Sequence, residues 1–437
     1  MYRVFQEAIM KRVLCLVIAL FLLFSLFGCK DSSLLSSDAN LKKDYDRSDA
    51  VAEYDFFSET HTTPDNYNKY AEGGAEFAAR LLSESIRDGE NTVLSPVSVS
   101  AVLSVLANGA SGKTSSEIRK AIAGGADTDL INICSHYLSE RLPAFNNEEG
   151  YVNLANSLWF NDKFDVKSQF LQTATNYYDA DIFRLDFAQE DVIGKVNGWV
   201  SEKTKGEIES ILDEIDKNSP AVVVNTALLE DVWATPYTEY QVSEDVFHGA
   251  KGDTQAEFMT SQEYYVSTDF AEGFVKGFKN IPCKFAAFMP KGNEDIAEFA
   301  NNLTGNRFMA LIESQQPMER CLAKLPVFSV GSELELADIL KSVGINAMFD
   351  PEKADFSNLS STGDVYVNRV TQKAFIEVGP QGAKAGAATA AVLTYGSAPT
   401  DGEKEIKKIV FDKPFVFAIY DNESNIPVFM GVVNNVE

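Results

Sequence analysis

Gly379-Pro380-Gln381-Gly382-Ala383-Lys384-Ala385-Gly386-Ala387-Ala388-Thr389-Ala390-Ala391-Val392-Leu393 is built almost wholly from small residues and follows an apolar run that closes at Val378. Gly382 and Gly386 weaken a helix across it, and it lacks the polar side chains of a flexible linker. Strand parity, which sends alternate side chains to opposite faces, sorts it instead. Ala383, Ala385, Ala387, Thr389, Ala391 and Leu393 share one face; Lys384, Gly386, Ala388, Ala390 and Val392 share the other. The first face carries no charge, so it can be buried. Side chains this small let a strand slip between two existing strands without overpacking the core. The segment therefore reads as a loop able to become a strand.

Strand-like runs surround it at Tyr151–Phe160, Ala221–Leu229, Leu322–Ser329, Val365–Val378, Phe415–Tyr420 and Val428–Val433. Asn91-Thr92-Val93-Leu94 is a further short strand. Ser95-Pro96 then opens a helix, with Ser as cap and Pro in the first turn, running to Asn108-Gly109. Thr114-Ser115-Ser116-Glu117 has the pattern of a capping box. Tyr70, Phe77, Ala78, Leu81 and Leu82 recur at helical spacing. Strands and helices mix without regular βαβ alternation, which predicts an α+β fold.

The 437 residues are 45% hydrophobic and 23% charged, with 38 basic against 64 acidic residues and a net charge of -26. Phosphate backbones are held by Lys and Arg, so no nucleic acid is expected as a partner. Gly109-Ala110-Ser111-Gly112-Lys113-Thr114 imitates a phosphate loop, but its glycines are too close and a helix precedes it. The histidines are His61, His136 and His248, with no GxSxG or HExxH pattern. No catalytic set, metal site or cofactor site is expected.

Lys11 and Arg12 precede an apolar run from Val13 to Phe27, short for a membrane span and suited to a signal peptide. The run ends Leu26-Phe27-Gly28-Cys29, which resembles the bacterial lipobox, in which a small residue precedes a lipidated Cys. An ordinary cleaved signal is the alternative. Residues 1–28 are read as a lipoprotein-type signal peptide and 29–65 as a flexible tether. Cys29 would carry the lipid, giving an extracellular protein anchored to the outer face of a bacterial cell membrane. With Cys15 in the signal, Cys134, Cys283 and Cys321 remain, read as buried free thiols rather than a disulfide framework.

The small-residue segment resembles the hinge and reactive loop of the serpins. Other pieces fall in that family's order. Asn91–Ser98 resembles its second helix and the approach to it. Val196-Asn197-Gly198-Trp199-Val200 with Thr204–Ile208 resembles the helix that crosses the main sheet. Asn225–Leu229 and Trp233 resemble a central strand and its top, and Leu325-Pro326-Val327-Phe328 and Phe356-Ser357 match as well. Phe411–Phe417 with Phe429-Met430-Gly431 resembles the C-terminal signature.

The resemblance covers 66–437 and implies one domain of three β-sheets with eight or nine surrounding helices and an exposed reactive loop at 379–402. Its hinge would be Gly382, Ala383, Ala385, Gly386, Ala387, Ala388 and Thr389. The reactive bond would be Gly396–Ser397, or Tyr395–Gly396 if the register shifts by one. Ser95, Ser98, Asn225 and Gln372 would cluster beneath the sheet opening. Gln372 stands where the family has a His, and a Gln amide can still donate and accept there. Pro380-Gln381 stands where acidic residues are common, Ala383 where Thr is common, and Glu230-Asp231 where a basic-Gly pair is usual.

The implied function is inhibition of a serine endopeptidase by a suicide substrate that traps the acyl-enzyme through loop insertion, a switching transition of this family. Such a protein is not an enzyme, needs no cofactor and is expected as a monomer. Its partner would be an elastase-like or a chymotrypsin- or subtilisin-like protease. The alternative is a non-inhibitory serpin acting as a binding or structural protein. A solute-binding lipoprotein and a hydrolase are more distant alternatives.

Overall fold

The computed structural model describes residues 40, 41, 45, 63–361, 365–383 and 406–436. Helix α1 (Pro64–Ser85) starts where the Thr63 side chain accepts from the Asn66 amide and Pro64 takes the first turn. Helix α1 thus starts two residues before 66, at the end of the segment read as a tether. Three residues of the expected tether touch it: Asn40 forms an isolated bridge with Phe183, while Leu41 and Tyr45 pack against the core. Covering apolar surface is favourable for both side chains.

The chain continues through β1 (Thr92–Leu94), α2 (Pro96–Gly109), α3 (Gly112–Ala123), α4 (Thr128–Arg141), β2 (Tyr151–Asn161), α5 (Ser168–Tyr178), β3 (Asp181–Leu185), α6 (Val192–Lys203) and β4 (Ala221–Val232). Next come β5 (Val242–Gly249), β6 (Gly252–Ser267), β7 (Ala271–Gly277), β8 (Cys283–Pro290), α7 (Ile296–Asn301), α8 (Gly305–Glu313), β9 (Arg320–Pro326), β10 (Phe328–Glu335) and α9 (Leu336–Ser342). The last strands are β11 (Arg369–Val378), β12 (Gly382–Ala383), β13 (Lys407–Val410), β14 (Phe415–Asp421) and β15 (Pro427–Val433). The described residues thus hold nine α-helices, within the expected number.

Two helix starts differ from the sequence reading. Ser95 sits at the N-cap of α2, but its hydroxyl donates to the Val428 carbonyl at 2.7 Å instead of capping the helix. The capping box at Thr114–Glu117 does not form, because α3 already begins at Gly112. Thr114 Oγ1 accepts from the Asp355 amide, and the Glu117 carboxylate accepts from the amides of Asn346 and Ala347. Tertiary partners win over the local cap in both places.

The main sheet has the order β10-β11-β12-β4-β2-β3. The second network runs β1-β15-β14-β8-β7-β6-β9-β13, with β5 added on β6. Strand β6 serves two parts of it, pairing with β5 over Gly252–Met259 and with β7 over Tyr264–Ser267. Among the described residues the strands thus form two hydrogen-bonded sheets rather than the expected three, because the long β6 pairs with β5 at one end and β7 at the other and joins both parts into one network.

Parity along β4 feeds two cores. Ala221, Val223 and Ala227 join the large cluster between the sheets. Val222 and Val224 turn to the outer face, where Trp159, Phe183, Val196, Trp199 and Val200 form a second cluster under α6. Trp159 stacks on Phe183 at 4.1 Å and meets Trp199 edge-on. Asn197 then laces the following segment onto the helix: its side-chain oxygen accepts from the amides of Ile211 and Leu212, and its nitrogen donates to the Leu212 carbonyl. A helix so fixed lies across β2, β3 and β4, as the sequence motif predicts.

Candidate functional site at the top of the main sheet

Strands β11 and β4 pair directly, in parallel, from Arg369–Val222 to Ala374–Ala227. Above that zone the chain itself separates them. After Val378 it turns through Gly379-Pro380-Gln381, closed by hydrogen bonds between the amides and carbonyls of Gly379 and Gly382. It then runs down between the two strands as β12, with Val378 opposite Ala383 on one side and Gly382 and Ala383 opposite Val232 and Asp231 on the other. Ala383 is fully buried, on the inward face that strand parity assigned to it.

Gly382 is demanded by space. A Cβ there would lie 1.9 Å from the Asp231 carbonyl oxygen and 2.7 Å from the Val232 Cα. Gly382→Val is therefore expected to force β12 out of the sheet. Limited proteolysis should then cut faster between Val378 and Ala383, and an unchanged rate would show that the sheet yields instead.

Three carbonyls hold the turn down. Trp233 Nε1 donates to Gly379 O at 2.9 Å, the Tyr237 amide to Pro380 O at 2.9 Å, and the Trp233 amide to Gln381 O at 2.8 Å. Trp233 is wholly buried and stacks on Phe278 with centroids 4.8 Å apart. The tip of β4 is fixed as well. The buried Asp231 carboxylate accepts from the Asn280 amide and side chain and from the Ile281 amide, at 2.7–2.8 Å. A carboxylate with several N–H donors satisfies its burial, and this pins β4 to the turn between β7 and β8.

Lower in the seam, Gln372 of β11 crosses to β4. Its amide nitrogen donates to Asn225 Oδ1 at 2.7 Å and to the Ser95 carbonyl at 3.0 Å, and its oxygen accepts from the Ser95 amide at 3.0 Å. Asn225 Nδ2 donates to Ser98 Oγ and to Asn156 Oδ1. Ser95, Ser98, Asn225 and Gln372 are all fully buried. The four residues singled out from sequence thus meet, with Ser98 reached through Asn225 rather than directly by Gln372. Asn156, on β2, completes the set.

The Serpin (serine protease inhibitor) family profile matches residues 72–436. The chain is a member of the serpin family. It is similar to a serpin-like protein of Methanosarcina mazei, 25% identical over 98% of this chain and 99% of the other. Among solved structures it resembles the thermophilic serpin tengpin in its native state, with a TM-score of 0.81 and 32% identity over 91% of this chain and 99% of tengpin. Tengpin in its latent state gives a TM-score of 0.73, 33% identity and coverage of 84% and 98%. Serpins are mostly inhibitors of serine proteases rather than catalysts.

In this serpin the sequence-derived site divides at Ala383. Gly382 and Ala383 are placed as above. Ala385, Gly386, Ala387, Ala388, Thr389, Tyr395, Gly396, Ser397 and Cys29 lie outside the described residues. The three thiols among the described residues offer no nucleophile. Burial raises Cys283 well above the usual thiol range and pushes Cys134 and Cys321 up to about 12, so all three stay protonated. His248 pairs with Asp253 on the surface, and His136 packs edge-on to Tyr177.

Proposed function

We propose that this serpin inhibits serine endopeptidases as a suicide substrate. The observation that supports this reading is β12: Gly382 and Ala383 already stand between β11 and β4, antiparallel to both. A longer insertion would only continue that strand. In the proposed sequence the protease serine oxygen attacks the Gly396 carbonyl, the amine of Ser397 leaves, and an ester joins the protease to the cut loop. The freed hinge then enters the seam and carries the protease with it. Gly396 offers no side chain to the protease's main specificity pocket, which favours elastase-like enzymes with shallow pockets. The alternative bond, Tyr395–Gly396, favours chymotrypsin- or subtilisin-like enzymes.

Incubation with elastase-, chymotrypsin-, subtilisin- and trypsin-like proteases tests this. One of the first three is expected to give a complex that survives boiling in detergent. Trypsin-like enzymes should give none, because no Lys or Arg lies between Lys384 and Lys404. Complex formation with a trypsin-like enzyme alone would overturn this reading of the loop, and cleavage without any complex would favour a non-inhibitory member. We also propose that Cys29 carries a lipid that holds the protein, as a monomer, on the outer face of a bacterial cell membrane. Cys29→Ser should release it from the membrane fraction, and unchanged retention would exclude that anchor.

A further inference from the structure

Lys276 of β7 and Glu263 of β6 form an ion pair inside the molecule, 2.5 Å apart with side chains only 5% and 8% exposed. Ser261 Oγ also donates to Glu263 Oε1 at 2.6 Å. The other face of the ammonium meets aromatic rings. Lys276 Nζ lies 4.4 Å from the centre of the Tyr237 ring and 5.6 Å from that of Trp233. These are the two residues whose N–H groups hold the base of the reactive loop at Gly379, Pro380 and Gln381. The Tyr237 hydroxyl is buried as well.

A buried ion pair is a poor source of stability, because two charges must leave water and apolar residues of similar volume often do as well or better. It does supply direction. A cation held at one point by a carboxylate fixes the rings it faces, which an apolar pair does not. We infer that the Lys276–Glu263 pair positions Trp233 and Tyr237, and so sets how far the hinge stands in the sheet before a protease arrives. The part of this that concerns trapping rests on the suicide-substrate reading. The part that concerns the loop base does not.

The test replaces both charges, Glu263→Leu with Lys276→Met, in the full chain. Three quantities are read: the melting temperature, hydrogen exchange at the Trp233 and Tyr237 amides, and the number of inhibitor molecules consumed per protease trapped. The melting temperature should stay the same or rise. Exchange at the two amides should quicken by roughly tenfold or more, while the seam amides of Ala227 and Gln372 keep their rates. Consumption per trapped protease should rise several-fold.

Unchanged exchange at Trp233 and Tyr237 would overturn the inference. If the unaltered protein traps no protease, the suicide-substrate reading fails, and the exchange result still decides the role of the pair. Should the double variant fold poorly, Tyr237→Leu removes the ring the cation faces and leaves the pair in place. It should quicken exchange at Trp233, and an unchanged rate there would likewise overturn the inference.

Discussion

A single cut near Gly396 is expected to raise the melting temperature of this serpin by about 20 °C. The estimate follows from the seam. Insertion replaces the direct pairing of Arg369–Ala374 with Val222–Ala227 by two ladders, one on each side of the new strand. It must also break the hydrogen bond from Gln372 Nε2 to Asn225 Oδ1 that crosses between the strands. The net gain is on the order of ten backbone hydrogen bonds at about 1 kcal/mol each, or roughly 10 kcal/mol. That rivals the whole stability of an ordinary domain, and for a large one each kcal/mol moves the midpoint by about 2 °C. Calorimetry of cut and intact protein measures it directly. Equal midpoints would mean that the loop does not enter the sheet.

The second large effect is expected from Ala387→Arg. The Ala383 side chain joins the large core cluster, which sets the inward face of the inserting strand, and Ala385 and Ala387 share its parity. An Arg at 387 would place an unpaired charge in the core, at a cost of several kcal/mol. Insertion should stall, and the ester to the protease should hydrolyse before the protease is distorted. The variant is then cut at its normal rate and leaves the protease active, so the detergent-stable complex is lost almost entirely. Ala388→Arg, on the opposite face, is the control and should still trap. If the two variants behave alike, the parity of the inserted strand is not what governs trapping.

The features legible in the sequence were those whose partners are set by periodicity. The apolar run at Ala221–Leu229 marked a strand, and the structure gives each of its faces its own cluster. The motif at Val196–Val200 marked the helix over the sheet only through its resemblance to the serpins, and the structure supplies the reason, an apolar floor under Trp199 and its neighbours. What escaped depends on residues far apart in the chain. Asn156 joins the seam through Asn225, 69 positions away, and nothing local announces it. Glu117 looked like half of a capping box, yet it serves two amides more than two hundred residues distant. Lys276 and Glu263 lie on neighbouring strands, and each alone reads as an ordinary surface charge until the sheets close over them.

Gln372 has a consequence for the conditions under which the seam holds. The serpin family commonly has a histidine at this place, and an imidazole changes its charge between about pH 5 and 8. Here the span from Ser95 through Gln372 and Asn225 to Ser98 and Asn156 is made of amides, hydroxyls and backbone groups. None of these gains or loses a proton in that range. This bridge therefore keeps one strength in acidic and in neutral surroundings, whatever happens at the carboxylates of Asp231 on β4 and of Glu333 and Glu335, which pair with β11. Acidity has no group within the bridge itself to act on.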